Sequence, residues 1–276
     1  MGTRTCRASR SSSSGLKSLS DRPVYLISDL HLDAGRSRTT RLLLDFLHGP
    51  ATRARALFIL GDLFEAWIGD DAAGSVGEVV AEGLSKLSEA GVNISFMAGN
   101  RDFLLGDDYC QQAGMQRIAE PFLLDELSPP ALLMHGDTLC TDDHAYQRFR
   151  AKVRDARWQR RVLSRPVWWR KMLAGLARSI SRYQNRNKPE AIMDVNAEAV
   201  ADTFREHNVE CLIHGHTHRP AIHEIEVDGR PCRRVVLGDW HGERGSVVRI
   251  EDGQIELLDL RRDTQGKLAL SSKKTP

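Results

Sequence analysis

Cysteine is scarce in this 276-residue chain and poorly placed for cross-linking. Cys6, Cys110, Cys140, Cys211 and Cys232 are odd in number, and no two have CxxC spacing. That argues against a disulfide framework and a zinc ribbon, and a reducing compartment fits best. Long apolar runs are also missing. No stretch of about 18 apolar residues is present, so no segment reads as a membrane-spanning helix. Residues 1–21 are rich in Ser and Arg without an apolar run, and read as a disordered leader rather than a secretory signal. Residues 263–276 are polar and read as a flexible tail. Net charge is nearly absent too, at +2, but that total hides a separation. Residues 148–188 hold fourteen Lys or Arg against one acid, Asp155, which leaves the rest of the chain at −11.

What is present is a series of short apolar runs. Val24–Ile27, Leu57–Leu60, Ile94–Met97, Ala131–Met134 and Cys211–Ile213 read as buried strands. Arg38–His48 and Glu78–Ala90 have helical spacing, and Gly91 stops the second. From Ala221 on, alternating segments such as Ile222–Val227 and Arg234–Leu237 suggest antiparallel pairing. Strand–helix alternation followed by a β-rich end predicts one α/β (α+β) domain over 22–262. Residues 142–190 read as helices without strands and interrupt that series as an insertion, with a helix break at Ser164-Arg165-Pro166.

Each buried strand is followed by potential metal ligands: Asp29-Leu30-His31, Gly61-Asp62, Gly99-Asn100-Arg101-Asp102, His135-Gly136-Asp137 and Gly215-His216-Thr217-His218. Sites in open α/β sheets gather beyond the carboxyl ends of strands, so five strand ends can converge on one crevice. Any one piece is commonplace, since Gly-Asp after a strand is usually a turn. The ordered set of five carries the reading. Carboxylates mixed with imidazoles favour Mn, Fe or Zn over Ca or Mg alone. One carboxylate can bridge two such ions about 3.5–4 Å apart. If the chain is extended, Asp29 and His31 share a side, and so do His216 and His218.

This series resembles the calcineurin-like metallophosphoesterase superfamily. Gly61 to Asp71, the Asn100-Arg101 pair and Leu139-Cys140-Thr141-Asp142-Asp143 resemble its branch acting on UDP-2,3-diacylglucosamine in lipid A synthesis. The resemblance implies a metallophosphoesterase β-sandwich flanked by helices, with the insertion as a helical lid. It implies two Mn2+ ions, one held by Asp29, His31, Asp62 and His218, the other by Asp62, Asn100, His135 and His216. Catalytic roles fall to Asp62, Asn100, Arg101 and His216. Substrate contacts fall to Asn100, Arg101, Asp143, Ser181, Asn185, Lys188 and His216. The implied reaction is attack of metal-activated hydroxide on the uridine-side phosphorus, giving UMP and 2,3-diacylglucosamine 1-phosphate (lipid X).

Many family phosphatases carry His where this chain has Arg101. Arg cannot release a proton near neutral pH, but it can hold phosphate oxygens as charge shifts. That favours anhydride over monoester cleavage, because a phosphate leaving group needs little protonation. The insertion combines its basic excess with Trp158, Trp168 and Trp169, which suits acyl chains and an anionic membrane surface. No nucleic-acid-binding signature accompanies the basic run, and no obligate protein partner is implied. Cytoplasmic residence with peripheral attachment to the inner membrane is expected. Two other readings are a dinuclear phosphoesterase acting on soluble nucleotides and a scaffold that has lost its metals.

Overall fold

The computed structural model describes residues 22–125, 127, 129–186, 194–263 and 266–273, with side chains described outside 180–186. Seven strands form one sheet. In chain order they are β1 (Val24–Ile27), β2 (Ala56–Leu60), β3 (Asn93–Met97), β4 (Met115–Ile118), β10 (Arg244–Glu251), β11 (Gln254–Arg262) and β12 (Leu268–Ser272). Their spatial order is β12-β11-β10-β1-β2-β3-β4. The second sheet has the order β5-β6-β7-β9-β8, from β5 (Phe122–Leu124), β6 (Ala131–Met134), β7 (Cys211–His214), β8 (Ala221–Val227) and β9 (Arg230–Val236). β1 to β4 run parallel, as do β6, β7 and β9.

The two sheets face each other. Val24, Leu26, Phe58 and Leu60 of the first pack against Leu133, Ile213 and Val235 of the second. The alternate residues Tyr25, Ile27, Leu57 and Ile59 point outward beneath α1 (Ser37–His48) and α2 (Gly74–Glu89). On the other side α7 (Ala197–His207) covers Leu132, Met134 and Leu212. Strands buried on both faces have no polar alternate, which is why they read as continuous apolar runs. The observed fold is thus the β-sandwich flanked by helices that the resemblance implied.

Between β6 and β7 the chain forms α4 (His144–Arg154), α5 (Ala156–Leu163) and α6 (Val167–Arg186), with Ser164-Arg165-Pro166 between the last two. Asp143 and Asp155 cap α4 and α5 through their carboxylates. Trp158, Val162, Trp169 and Leu173 pack on the α1–α2 side of the core.

One expectation needs correction. The flexible tail assigned to 263–276 contains β12, paired antiparallel with β11 from Leu258↔Ser272 to Arg262↔Leu268. Leu268 and Leu270 share one face and pack on the core, and two alternate leucines among polar residues were enough to define a strand. Residues 1–21 lie outside the described residues.

Candidate metal centre

The loops after β1, β2, β3, β6 and β7 meet at one end of the sandwich. Backbone bonds tie them together: Asp29 N to Gly61 O (3.1 Å), His31 N to Asp62 O (2.9 Å) and Gly215 N to His135 O (2.9 Å). Their closeness depends on glycine. A Cβ on Gly99 would lie 2.2 Å from Asp62 Oδ1, and one on Gly61 would lie 2.6 Å from both the Gly99 Cα and His135 Nδ1.

Asp29 and His31 do not alternate as in an extended strand. Both have left-handed backbone, with φ of 56° and 50°, and Asp62 (53°), His216 (69°) and His218 (56°) share it. Their common aim comes from these turned-back residues rather than from strand parity. A non-glycine residue rarely adopts this conformation, and clusters of them mark functional sites.

All seven expected ligands are brought together. His31 Nε2 lies 3.2 Å from His218 Nε2, and His218 Nε2 lies 3.3 Å from Asp29 Oδ1. Asn100 Oδ1 faces His135 Nε2 at 2.9 Å and His216 Nδ1 at 3.0 Å. Asp62 stands between the two groups, with Oδ2 3.9 Å from His31 Nδ1 and Oδ1 3.8 Å from His135 Nε2.

These contacts suit a cation. His135 Nδ1 faces the Leu60 carbonyl at 2.9 Å, so that nitrogen carries the proton. In a neutral ring its Nε2 lone pair would confront the Asn100 oxygen, an acceptor facing an acceptor, so with no cation between them that nitrogen must take up a proton. His31 and His218 likewise bring two ring nitrogens together beside a buried carboxylate. Donor atoms of Asp29, His31 and His218, and of Asp29, Asp62 and His135, fall within 4.8 Å of one another. The acid excess acts on the imidazoles. Burial works against a charge on His135, yet Asp62, Asp137 and Asp29 outweigh it and push its pKa up to about 9. For His216, burial and the neighbouring His135 bring it down to about 4. Asp29 is fully buried, but its bond to His218 and the charges of His135 and His31 hold it below the usual carboxylate range. A pocket that forces a proton onto a buried histidine is one that lacks positive charge, and a divalent ion would supply it.

The family comparison agrees with this geometry. A calcineurin-like phosphoesterase model matches residues 22–220. The chain belongs to the calcineurin-like phosphoesterase family. Divalent-metal binding and hydrolase activity come with that membership. The chain is 48% identical over 247 residues to a UDP-2,3-diacylglucosamine hydrolase of Stenotrophomonas maltophilia, covering 87% of this chain and 99% of that one. It is 50% identical over 229 residues to a UDP-2,3-diacylglucosamine hydrolase of Chromohalobacter salexigens, covering 83% and 93%. A third, from Marinobacter nauticus, is 50% identical over 217 residues and covers 79% and 89%.

The remaining expected residues divide. Arg101 is next to the cluster: its backbone N–H donates to Asp62 Oδ1 at 2.8 Å, and its Nε is buried with no protein partner. Pairing with Asp102 does not account for it. Asp102 is fully buried and accepts from Leu63 N and Gly99 N, both at 2.7 Å; burial and Asp62 push it up to about 6. Asp143 accepts from Tyr146 N at 3.1 Å. Ser181 and Asn185 lie on α6, but their side chains, like Lys188, fall outside the described residues. His214 turns aside, bonding Gly215 O at 2.8 Å, and burial brings it down to about 3.

Sequence reasoning passed over several participants. Glu65 Oε2 stands 3.4 Å from His31 Nδ1, where a carboxylate can orient a ligating imidazole. The distinctive run from Gly61 to Asp71 mostly serves packing. Trp67 lies 4.5 Å from both Phe64 and Tyr109, and Asp70 accepts from Trp67 Nε1, Gly106 N and Tyr109 N. Asp71 receives Arg170 of α6, whose guanidinium also bonds the Ile68 carbonyl.

Proposed function

We propose that this chain hydrolyses the diphosphate bond of UDP-2,3-diacylglucosamine, giving UMP and 2,3-diacylglucosamine 1-phosphate (lipid X). The observation that carries the reading is the meeting of seven donor side chains from five strand ends around an acid excess. The substrate is supported by the relatives, each named a UDP-2,3-diacylglucosamine hydrolase.

In this reading two Mn2+ ions occupy the centre. Asp29, His31, Asp62 and His218 hold one, and Asp62, Asn100, His135 and His216 hold the other. The chemistry such ions supply is Lewis acidity, which polarises a phosphoryl group and lets water attack near neutral pH. The chain's own residues do the rest. The Arg101 guanidinium, with an unpartnered buried Nε, holds equatorial phosphate oxygens as negative charge shifts toward the leaving group. It offers no proton, and a departing phosphate does not need one. Asn100 and His216 fix the position of the attacked phosphorus. By the family resemblance, Asp143, Ser181, Asn185 and Lys188 of the insertion are the further substrate contacts.

The lid also gives the membrane reading. Trp168, Met172 and Leu176 recur every four residues along α6 and are 67%, 60% and 59% exposed. They form an apolar stripe among basic residues, suited to insertion at an anionic surface. Among the described residues no helix is long and apolar enough to cross a membrane. Peripheral attachment at the cytoplasmic face of the inner membrane follows as part of the proposal.

The test compares turnover of the acylated UDP-sugar with that of a dinucleotide and a cyclic nucleotide, in 18O-labelled water. Preference for the acylated substrate with label in UMP is expected. Preference for either soluble nucleotide would remove the substrate, and label only in the lipid phosphate would reverse the direction of attack.

A further inference from the structure

The first lid helix is attached differently from the others. α5 and α6 meet the core mainly through apolar side chains and Arg170, with Gln159 Nε2 adding a bond to the Phe103 carbonyl at 3.4 Å. α4 buries Val153 and otherwise meets it through a polar row, Tyr146, Arg150 and Arg154, spaced every four residues and so lying on one helix face. Each touches a loop that carries expected ligands. Arg150 donates to Asp137 Oδ2 and to Glu120 Oε2, both at 2.8 Å. Glu120 in turn accepts from His135 N at 2.8 Å and Gly136 N at 3.2 Å through its other oxygen. The Tyr146 hydroxyl donates to Asp137 Oδ2 at 2.5 Å, and its ring stacks on that of His216, centroids 6.1 Å apart. Gln147 Nε2 donates to the carbonyls of Asp137 and Cys140. Arg154 donates to the carbonyls of Ala98 (3.0 Å) and Gly99 (2.9 Å), directly before Asn100.

The three residues reached in this way are His135, His216 and Asn100, the members of one half of the centre. Among the described residues α4 makes no hydrogen bond or ion pair to Asp29, His31 or His218. That half is held by core loops, through Ser28, Glu65 and the backbone of Asp62, and it touches the other half where the His216 N–H donates to Asp29 Oδ2 at 2.9 Å. Asp137 is fully buried, and a buried carboxylate without its cation is strongly unfavourable, so the Arg150 bond constrains the loop strongly.

We propose that α4 is a strut of the metal centre, with Arg150, Tyr146 and Arg154 as positioning residues for the Asn100–His135–His216 half alone. The lid and one ion are then coupled directly, while the other ion is reached only through the shared Asp62 and the His216–Asp29 bond. This rests on the two-ion reading above. Its direct test is calorimetric titration of Mn2+ into the metal-free full chain, for wild type, Arg150→Gln, Arg150→Lys and Tyr146→Phe. Arg150→Gln is expected to weaken one of two sites by about 10- to 100-fold and leave the other within about twofold. Arg150→Lys should recover part of that loss, and Tyr146→Phe should show a smaller loss at the same site. Equal weakening of both sites, or of neither, would overturn the proposal. Amide exchange in the metal-free proteins separates this from the two-ion reading. Arg150→Gln should speed exchange at His135 and Gly136 and leave Asp29 and His31 unchanged, however many ions the wild type binds. Uniform acceleration at all four amides would count against the strut even if wild type binds two ions.

Discussion

Asp62 is constrained both in its backbone and in its side chain. Its φ is 53°, one oxygen faces His31, and the other faces His135 while accepting the Arg101 N–H. Asp62→Ala removes a donor shared by both halves and places a residue that disfavours left-handed backbone there. Activity should fall by at least about two orders of magnitude, and melting should shift down through the backbone. Asp62→Asn tolerates this conformation, so it should lose comparable activity with a smaller melting shift. Comparing rates and melting curves for the pair checks both halves of the argument. Arg101→Ala should lower kcat by about 10²-fold with the melting temperature nearly unchanged, because its guanidinium Nε has no protein partner to lose. Steady-state kinetics beside calorimetry reads this. Asp29, His31 and Asp62 were legible in the sequence because each directly follows an apolar run. Glu120, Tyr146 and Arg150 were not. Their contacts span 9 to 30 residues and depend on tertiary closeness, and a basic helix face looks the same whether solvent or buried carboxylates lie opposite it.

At the scale of elements, the lid is fastened at two ends. α4 grips the ligand loops, and α6 is latched by Arg170, which is 3% exposed, to Asp71 and the Ile68 and Arg165 carbonyls. Arg170→Ala should raise amide exchange in α5 and α6 and leave β1 to β3 unchanged. The latch also has a pH sign. Its bond to Arg170 holds the Asp71 carboxyl below its ordinary value of 3.8. A depressed carboxyl contributes stability that is fully present above the unfolded value and is lost as pH falls through the folded one. Lid protection should therefore be flat from neutrality to about pH 4 and weaken only below it, with Asp71→Asn removing that dependence. The strands flanking the site were readable because they are buried on both faces. The short β4 and β5, the six-residue α3 (Asp107–Gln112) and β12 were not, since too few residues show a period and neighbouring strands decide their state. The left-handed turns after β1 and β7 were equally hidden, because Asp and His carry no local mark of positive φ.

For the whole molecule, the charge separation visible in composition becomes spatial: an acid-rich centre at one end of the sandwich, and a basic helical insertion with an exposed apolar stripe whose first helix contacts the ligand loops. Replacing Trp168, Met172 and Leu176 together by Ser should lower partition onto anionic vesicles at least about tenfold, measured by flotation. Binding of the wild type should weaken as salt is raised, because the basic residues contribute through screened attraction. Vesicle binding that ignores both changes would count against attachment through this face. Hydrolysis at this centre depends on cations where the donors converge. Anomalous diffraction at the manganese edge, from crystals equilibrated with Mn2+, tests this most directly. Two peaks are expected, one among Asp29, His31, Asp62 and His218, the other among Asp62, Asn100, His135 and His216. No peak between these side chains at saturating Mn2+ would contradict it.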